Sequence, residues 1–122
     1  PDNADTLTLL SQLAFMNADN ETAHKHACKA QELEPRNPSA AFYCAQALFA
    51  VNNPDEIEKM ENLFTKLADK PEYRQQALQK LGLIYETRKP DKEKACAVYT
   101  KLHAENPDNM NYKASKDFNC AP

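Results

Sequence analysis

The chain has 122 residues, a formal net charge of −3 and a single glycine. This length allows one compact domain with a buried core, and the interspersed charges speak against nucleic acid as the main partner. No stretch approaches the roughly 20 apolar residues that span a bilayer. The scarcity of glycine, against a usual share of about 7%, favours helices over strands and tight hairpins.

The spacing of the apolar residues predicts seven helices, at about 4–17, 21–33, 40–51, 56–69, 72–87, 91–105 and 109–119. We expect Asn20 to cap the second helix, Ser39 to cap the third, and Pro35 and Pro38 to stop the second. The residues expected to pack are Leu7, Leu10 and Ala14; Ala23, Ala27, Ala30 and Leu33; Ile57, Met60, Leu63, Phe64 and Leu67; Ala77, Leu78, Leu81, Ile84 and Tyr85; Ala95, Val98, Tyr99 and Leu102; and Tyr112, Ala114 and Phe118.

One phrase occurs three times, as Pro1-Asp2-Asn3, Pro35-Arg36-Asn37 and Pro107-Asp108-Asn109. The first two phrases lie 34 residues apart, and the third lies 72 residues further on. A period of 34 residues that contains two helices indicates a helical repeat array. Proteins of this class usually bind a partner on a concave face. Because Pro1 stands one period before Pro35, we expect the chain to be a piece or a processed product of a longer repeat protein.

The chain resembles the tetratricopeptide repeat family over nearly its whole length. The residues that carry the resemblance are Leu7, Leu10, Ala14, Ala18, Asp19, Ala23, Ala27, Ala30, Leu33 and Pro35, and then Leu81, Gly82, Tyr85, Ala95, Tyr99, Leu102 and Pro107, with one extra residue in the turn at 88–91. The resemblance implies an all-α fold in which antiparallel helix-turn-helix repeats stack as a short right-handed α-solenoid. It implies a single domain over 1–122, with repeats at about 4–37, 38–71 and 72–108 and a capping helix at 109–119. The middle repeat departs from the pattern, since Ile57 and Met60 stand where a small alanine is expected.

The four cysteines form no Cys-x-x-Cys pair, which speaks against a zinc ribbon or a thioredoxin-like redox site. In an antiparallel helix pair, residues equidistant from the turn lie opposite each other. Cys28 and Cys44 are centred on Arg36, and Cys96 and Cys120 are centred on Asp108, so both pairs straddle equivalent turns. We therefore predict Cys28–Cys44 and Cys96–Cys120 disulfides, which imply an oxidising compartment. The alternative is four buried free thiols that act as small apolar residues.

No pattern in the chain predicts catalysis or cofactor binding. His24 and Cys28 share a helix face, but His26 points away from them, and a structural zinc site needs four ligands. The chain has no glycine-rich phosphate loop and no nucleophile elbow. We expect no catalytic residue, no metal and no cofactor, and therefore a protein that is not an enzyme.

The family resemblance implies that the first helix of each repeat lines the concave groove. The predicted partner contacts are then Thr8, Gln12, Phe15 and Met16; Phe42, Gln46, Phe49 and Ala50; and Gln79, Leu83 and Glu86. Aromatic rings, a methionine and amides suit an extended peptide or an amphipathic helix with apolar anchors. Alternatively, Phe15, Phe42 and Phe49 fill the core or meet an upstream repeat.

The function expected from these features is that of a protein-interaction module of an exported protein. It would bind a protein or peptide partner in its groove, in envelope assembly, secretion or pilus biogenesis. The family is common in bacterial envelope assembly, so the resemblance favours the periplasm. Two alternatives stay open: a cytosolic chaperone or adaptor with free thiols, and a helical accessory domain of a larger enzyme.

Overall fold

A computed structural model describes residues 3–122, and this part of the chain is all-α, as predicted. Its helices are α1 (Ala4–Met16), α2 (Asn20–Leu33), α3 (Pro38–Val51), α4 (Ile57–Leu67), α5 (Arg74–Leu83), α6 (Lys92–Glu105) and α7 (Met110–Cys120). A tight helical turn at Pro54–Glu56 precedes α4, and a wide helical turn at Ile84–Arg88 follows α5. Pro1 and Asp2 of the first repeated phrase, and the upstream repeat expected from them, lie outside the described residues.

The asparagine that ends each repeated phrase caps a helix. Asn3 accepts the backbone N–H groups of Asp5 and Thr6, Asn37 accepts those of Ser39 and Ala40, and Asn109 accepts that of Tyr112. The side-chain oxygen in this position satisfies N–H groups that have no partner within the helix. The phrase is therefore a helix-start signal that recurs before α1, α3 and α7.

Two caps predicted from the sequence were wrong by one or two residues. Asn37, not Ser39, caps α3, because Pro38 occupies the first helical position, where its missing N–H costs nothing. Pro38 therefore opens α3 and does not stop α2. Asp19, not Asn20, caps α2, since its carboxylate accepts the N–H of Thr22 at 3.2 Å.

The fifth helix also ends differently from the prediction. The α-helical hydrogen bonds end at Leu83, and the chain continues as the wide turn, in which the N–H of Lys89 reaches the carbonyl of Ile84 at 2.8 Å. Such a turn accommodates one residue more than an α-turn.

The helices fall into two compact units, with the boundary between Leu63 and Phe64 inside α4. In the first unit α1 packs on α2, α2 packs on α3, and α1 also touches α3. Alanines dominate this core, and those without any exposed surface are Ala23, Ala27, Ala30, Ala40, Ala45 and Ala47. Small side chains let helix backbones approach closely, which is the packing predicted for α1 and α2.

Two leucines predicted to pack in the first unit lie at the surface. Leu10 is 41% exposed and Leu33 is 47% exposed. The buried stripe of α1 runs instead through Leu7, Ser11 and Ala14, and the Ser11 hydroxyl donates to the carbonyl of Ala23 at 3.0 Å. A fully buried serine is accommodated there because this hydrogen bond satisfies it.

In the second unit α5 packs on α6 and α6 packs on α7. The residues predicted inward on α5 and its following turn are buried, as are those of α6: Ala77, Leu78, Leu81, Ile84 and Tyr85, with Ala95, Val98, Tyr99 and Leu102. On α7 Tyr112 is buried, but Phe118 is 74% exposed and Asn119 is buried in its place. Tyr112 and Asn119 lie seven residues apart and so share a helix face, whereas Phe118 points elsewhere.

None of the helices described for residues 3–122 is long and apolar enough to cross a membrane.

Candidate functional site

The strongest candidate for a binding surface in the first unit is the side of α1 and α3 that carries amide and aromatic side chains. We call it the α1–α3 face and define it by Gln12, Phe15, Gln46 and Phe49. All four side chains are half-buried. Spacings of three residues within each helix place each glutamine beside its phenylalanine. Because α1 and α3 pack against each other, the face combines apolar rings with amides that can pair with a peptide backbone.

Both contributing helices begin at an asparagine cap. Asn3 and Asn37 cap them and determine where each helix begins, while the period of 3.6 residues per turn determines which residues share a side. Met16, at the end of α1, is 82% exposed and extends the face with a flexible apolar side chain. It is the most accessible of the predicted partner contacts in this unit, whereas Ala50 near the end of α3 is half-buried.

Thr8 and Phe42 were also predicted to line the groove, and both are buried. The Thr8 hydroxyl donates to the carbonyl of Ala4 at 2.8 Å, within its own helix. Phe42 retains 7% of its surface and meets the ring of Tyr43 edge-on, with ring centroids 5.4 Å apart. Both residues are buried in this conformation, and their direct contact with a partner stays a prediction.

In the second unit the predicted contacts are Gln79, Leu83 and Glu86. The Gln79 amide donates to the hydroxyl of Tyr112 on α7. The two Glu86 oxygens accept the hydroxyl of Tyr99 at 2.8 Å and the amide of Asn119 at 2.9 Å. Leu83 is 39% exposed and is the most accessible of the three.

A polar network around Glu86 therefore ties α6 and α7 to the turn that follows α5. Burial, and then the hydrogen bond to the Glu86 carboxylate, raises the pKa of Tyr99. Sequence reasoning missed this network because Asn119 was not recognised as buried. The spacing of seven residues between Tyr112 and Asn119 was the signal that could have revealed it.

The cysteines pair as predicted. The sulfur atoms of Cys28 and Cys44 are 2.07 Å apart, and those of Cys96 and Cys120 are 1.97 Å apart. The first pair is buried, with Cys44 fully so, and it joins α2 to α3. The second joins α6 to α7, where Cys96 is half-buried and Cys120 is exposed. Paired cysteines of this kind are typical of proteins in oxidising compartments.

The histidine cluster does not assemble a metal site in the described residues. His24 lies 3.8 Å from a carboxylate oxygen of Glu56, and Cys28 is committed to its disulfide. Within residues 3–122 no group of three or more side chains from His, Cys, Asp and Glu is placed to hold a metal ion. His24 and Glu56 together form a partly exposed ion pair that requires a protonated imidazole.

No protein-family model matches the sequence, and no curated protein matches it significantly.

Proposed function

We propose that the chain is a tetratricopeptide-like interaction module of an exported protein, which binds a peptide or helix of a protein partner. The observation that carries the proposal is the α1–α3 face. It presents half-buried rings and amides on two packed helices, a composition suited to apolar anchors and to backbone hydrogen bonds.

The repeat interpretation is supported by features that recur 72 residues apart. Asn37 and Asn109 both cap a helix after a Pro-x-Asn phrase, and Asp19 and Asp91 both cap the preceding helix of the pair. A disulfide also crosses each of these two turns, at 35–37 and at 107–109. These equivalences favour two copies of one helix-turn-helix unit.

The disulfides support the exported location. All four cysteines are paired, which disfavours the alternative of a cytosolic adaptor with free thiols. Helices linked by disulfides lower the entropy cost of binding, because less of the binding surface must become ordered when the partner binds. We place the protein in the periplasm and assign it to envelope assembly, secretion or pilus biogenesis.

The location is tested by alkylating the protein after recovery from its native compartment without reductant. Peptide mapping should find Cys28 linked to Cys44 and Cys96 linked to Cys120, with no alkylated thiol before reduction. Four freely alkylated thiols would overturn the exported location.

The binding mode is tested by selecting peptides from a phage-displayed library on the folded, oxidised chain and titrating the selected peptides. Gln12→Lys and Gln46→Lys should each weaken binding by about tenfold, since each adds a charge beside the apolar rings. Gln31→Lys on α2 adds the same charge away from the face and should leave affinity unchanged. Equal affinity of all three variants for every selected peptide would refute the α1–α3 face.

A further inference from the structure

The two disulfides differ in how exposed their cysteines are. Cys28 keeps 6% of its surface and Cys44 keeps none, because both lie where α2 packs on α3. Cys120 is exposed at the end of α7, and its partner Cys96 is half-buried on α6. The neighbouring Thr100 is also exposed, and its hydroxyl lies 3.7 Å from Sγ of Cys120.

This difference decides which pair a thiol can reach in the folded chain. Exchange between a thiol and a disulfide requires the attacking sulfur to contact one of the two disulfide sulfurs. The buried Cys28–Cys44 pair excludes that contact, whereas Cys120 allows it. Exposed disulfides are also the more easily reduced ones in proteins of oxidising compartments. The second pair is therefore the reactive one.

Few side chains hold α7 in place besides this disulfide. The buried residues of α7, which the structure describes over its full 11 residues, are Tyr112 and Asn119. The Tyr112 hydroxyl accepts hydrogen bonds from the amides of Gln75, at 3.0 Å, and Gln79. The Asn119 amide donates to Glu86 at 2.9 Å. A helix of this length is marginal on its own in water, so α7 depends on these contacts and on the disulfide.

We propose that the Cys96–Cys120 disulfide is a thiol–disulfide exchange site that reacts with a dithiol and controls the docking of α7. One thiolate of the dithiol attacks Sγ of Cys120 and forms a mixed disulfide. The Cys96–Cys120 bond breaks, and its electron pair stays on Sγ of Cys96, which takes a proton from water. The second thiolate of the dithiol then attacks the dithiol sulfur bound to Cys120, and Cys120 leaves and is protonated. The protein gains two electrons and two protons, and the dithiol is oxidised to a disulfide.

Reduction leaves α7 attached by its packing on α6 and by the contacts of Tyr112 and Asn119. The disulfide closes a loop of 24 residues, so its loss should make local opening of α7 on the order of 100-fold more frequent. In the open form the Gln79 amide and one oxygen of Glu86 lose their partners on α7 and become accessible to another molecule. Neither the exchange nor the opening of α7 depends on the α1–α3 face.

The exchange is tested on the folded, oxidised chain with dithiothreitol as the dithiol. Samples are quenched with acid at successive times, alkylated and mapped by mass spectrometry. Cys96 and Cys120 should become alkylated at least roughly tenfold faster than Cys28 and Cys44, at a rate proportional to the dithiothreitol concentration. With glutathione in place of dithiothreitol, a mixed disulfide should be trapped on Cys120 and not on Cys96. Equal rates for the two pairs would mean that reduction requires unfolding of the whole chain, and would overturn the proposal.

The docking of α7 is tested by amide hydrogen exchange. The double variant Cys96→Ala with Cys120→Ala removes the disulfide without adding bulk, and its α7 amides should exchange on the order of 100-fold faster than those of the oxidised parent. The amides of α1, α2 and α3 should exchange as in the parent, which separates opening of α7 from a failure to fold. Asn111→Ala, at an exposed position of α7, keeps the disulfide and should leave the exchange of α7 close to that of the parent. If the double variant protects α7 as well as the parent does, the disulfide does not control its docking and the proposal is wrong.

Discussion

The single glycine of the chain makes the sharpest prediction about stability. Gly82 lies within α5 and has no positive φ, so an alanine fits its backbone. Helix propensity alone predicts that Gly82→Ala stabilises the fold by about 1 kcal/mol. The packing predicts the opposite sign. A Cβ atom at this position would lie 2.6 Å from Cζ of Tyr99 and 2.7 Å from its hydroxyl oxygen.

The clash has a definable cost. Comfortable carbon contacts are about 3.5–4.0 Å, so the ring would have to move by about 1 Å. The Tyr99 hydroxyl donates to Glu86 at 2.8 Å, and the side chain is 5% exposed, so it has little room to retreat. Overpacking costs about 1–3 kcal/mol, and strain on a hydrogen bond to a carboxylate adds about 1 kcal/mol. After the propensity gain, Gly82→Ala should destabilise the fold by about 2 kcal/mol.

Urea unfolding of oxidised protein measures this difference. The matched control is the same substitution in a Tyr99→Leu background, where the two ring carbons and the hydroxyl oxygen nearest the new methyl group are absent. There Gly82→Ala should be neutral or stabilising, because the helix-propensity gain is no longer opposed by the clash with Tyr99. A Gly82→Ala variant that is about 1 kcal/mol more stable than the parent chain would refute the packing argument and show that helix propensity outweighs packing at this position.

Three further predictions concern the Cys96–Cys120 disulfide, the buried Tyr99 and the buried Ser11. Replacing Cys96 and Cys120 together by alanine should lower the free energy of unfolding, measured in urea, by about 3 kcal/mol, because the disulfide closes a loop of 24 residues. An unchanged free energy of unfolding would show that this loop is already restricted in the unfolded chain. The pKa of Tyr99 is raised in the folded state, so folding favours the neutral phenol. The stability that this preference contributes is present below about pH 10 and is lost as the pH rises above that value. Between about pH 9 and pH 11, the free energy of unfolding of Tyr99→Phe should therefore fall less than that of the parent chain. If the two proteins give parallel curves of unfolding free energy against pH, the pKa of Tyr99 is not raised. Ser11→Ala should cost about 1 kcal/mol by removing the hydrogen bond to Ala23, while Thr6→Ala, at an exposed position of the same helix, should change stability by less than about 0.5 kcal/mol.

Much of the local structure was predictable because it depends on residues close in sequence. The seven helices follow from the spacing of apolar residues, and most of their ends agree to within one or two positions. The cysteine pairing was predictable for a similar reason. Two antiparallel helices joined by a short turn bring residues equidistant from that turn together, so Arg36 and Asp108 could serve as centres.

The candidate site was predictable only in part, because burial depends on which neighbour covers a side chain. Gln12, Phe15, Gln46 and Phe49 are half-buried and keep part of their surface accessible, but Phe42 is buried. Sequence spacing places a residue on a side of its helix, yet it does not show how closely the next helix approaches that side.

By itself the sequence determined the helical class and the two disulfides, since each arises from neighbouring residues or from one turn. Only the tertiary structure decided which apolar side chains remain outside. Leu10, Leu33 and Phe118 look like core residues, but they lie at the surface, while Ser11 and Asn119 are buried. A polar side chain can be buried wherever a hydrogen-bond partner is within reach, as Ala23 is for Ser11 and Glu86 is for Asn119. Those partners come from other elements of the chain, and their positions are set by packing.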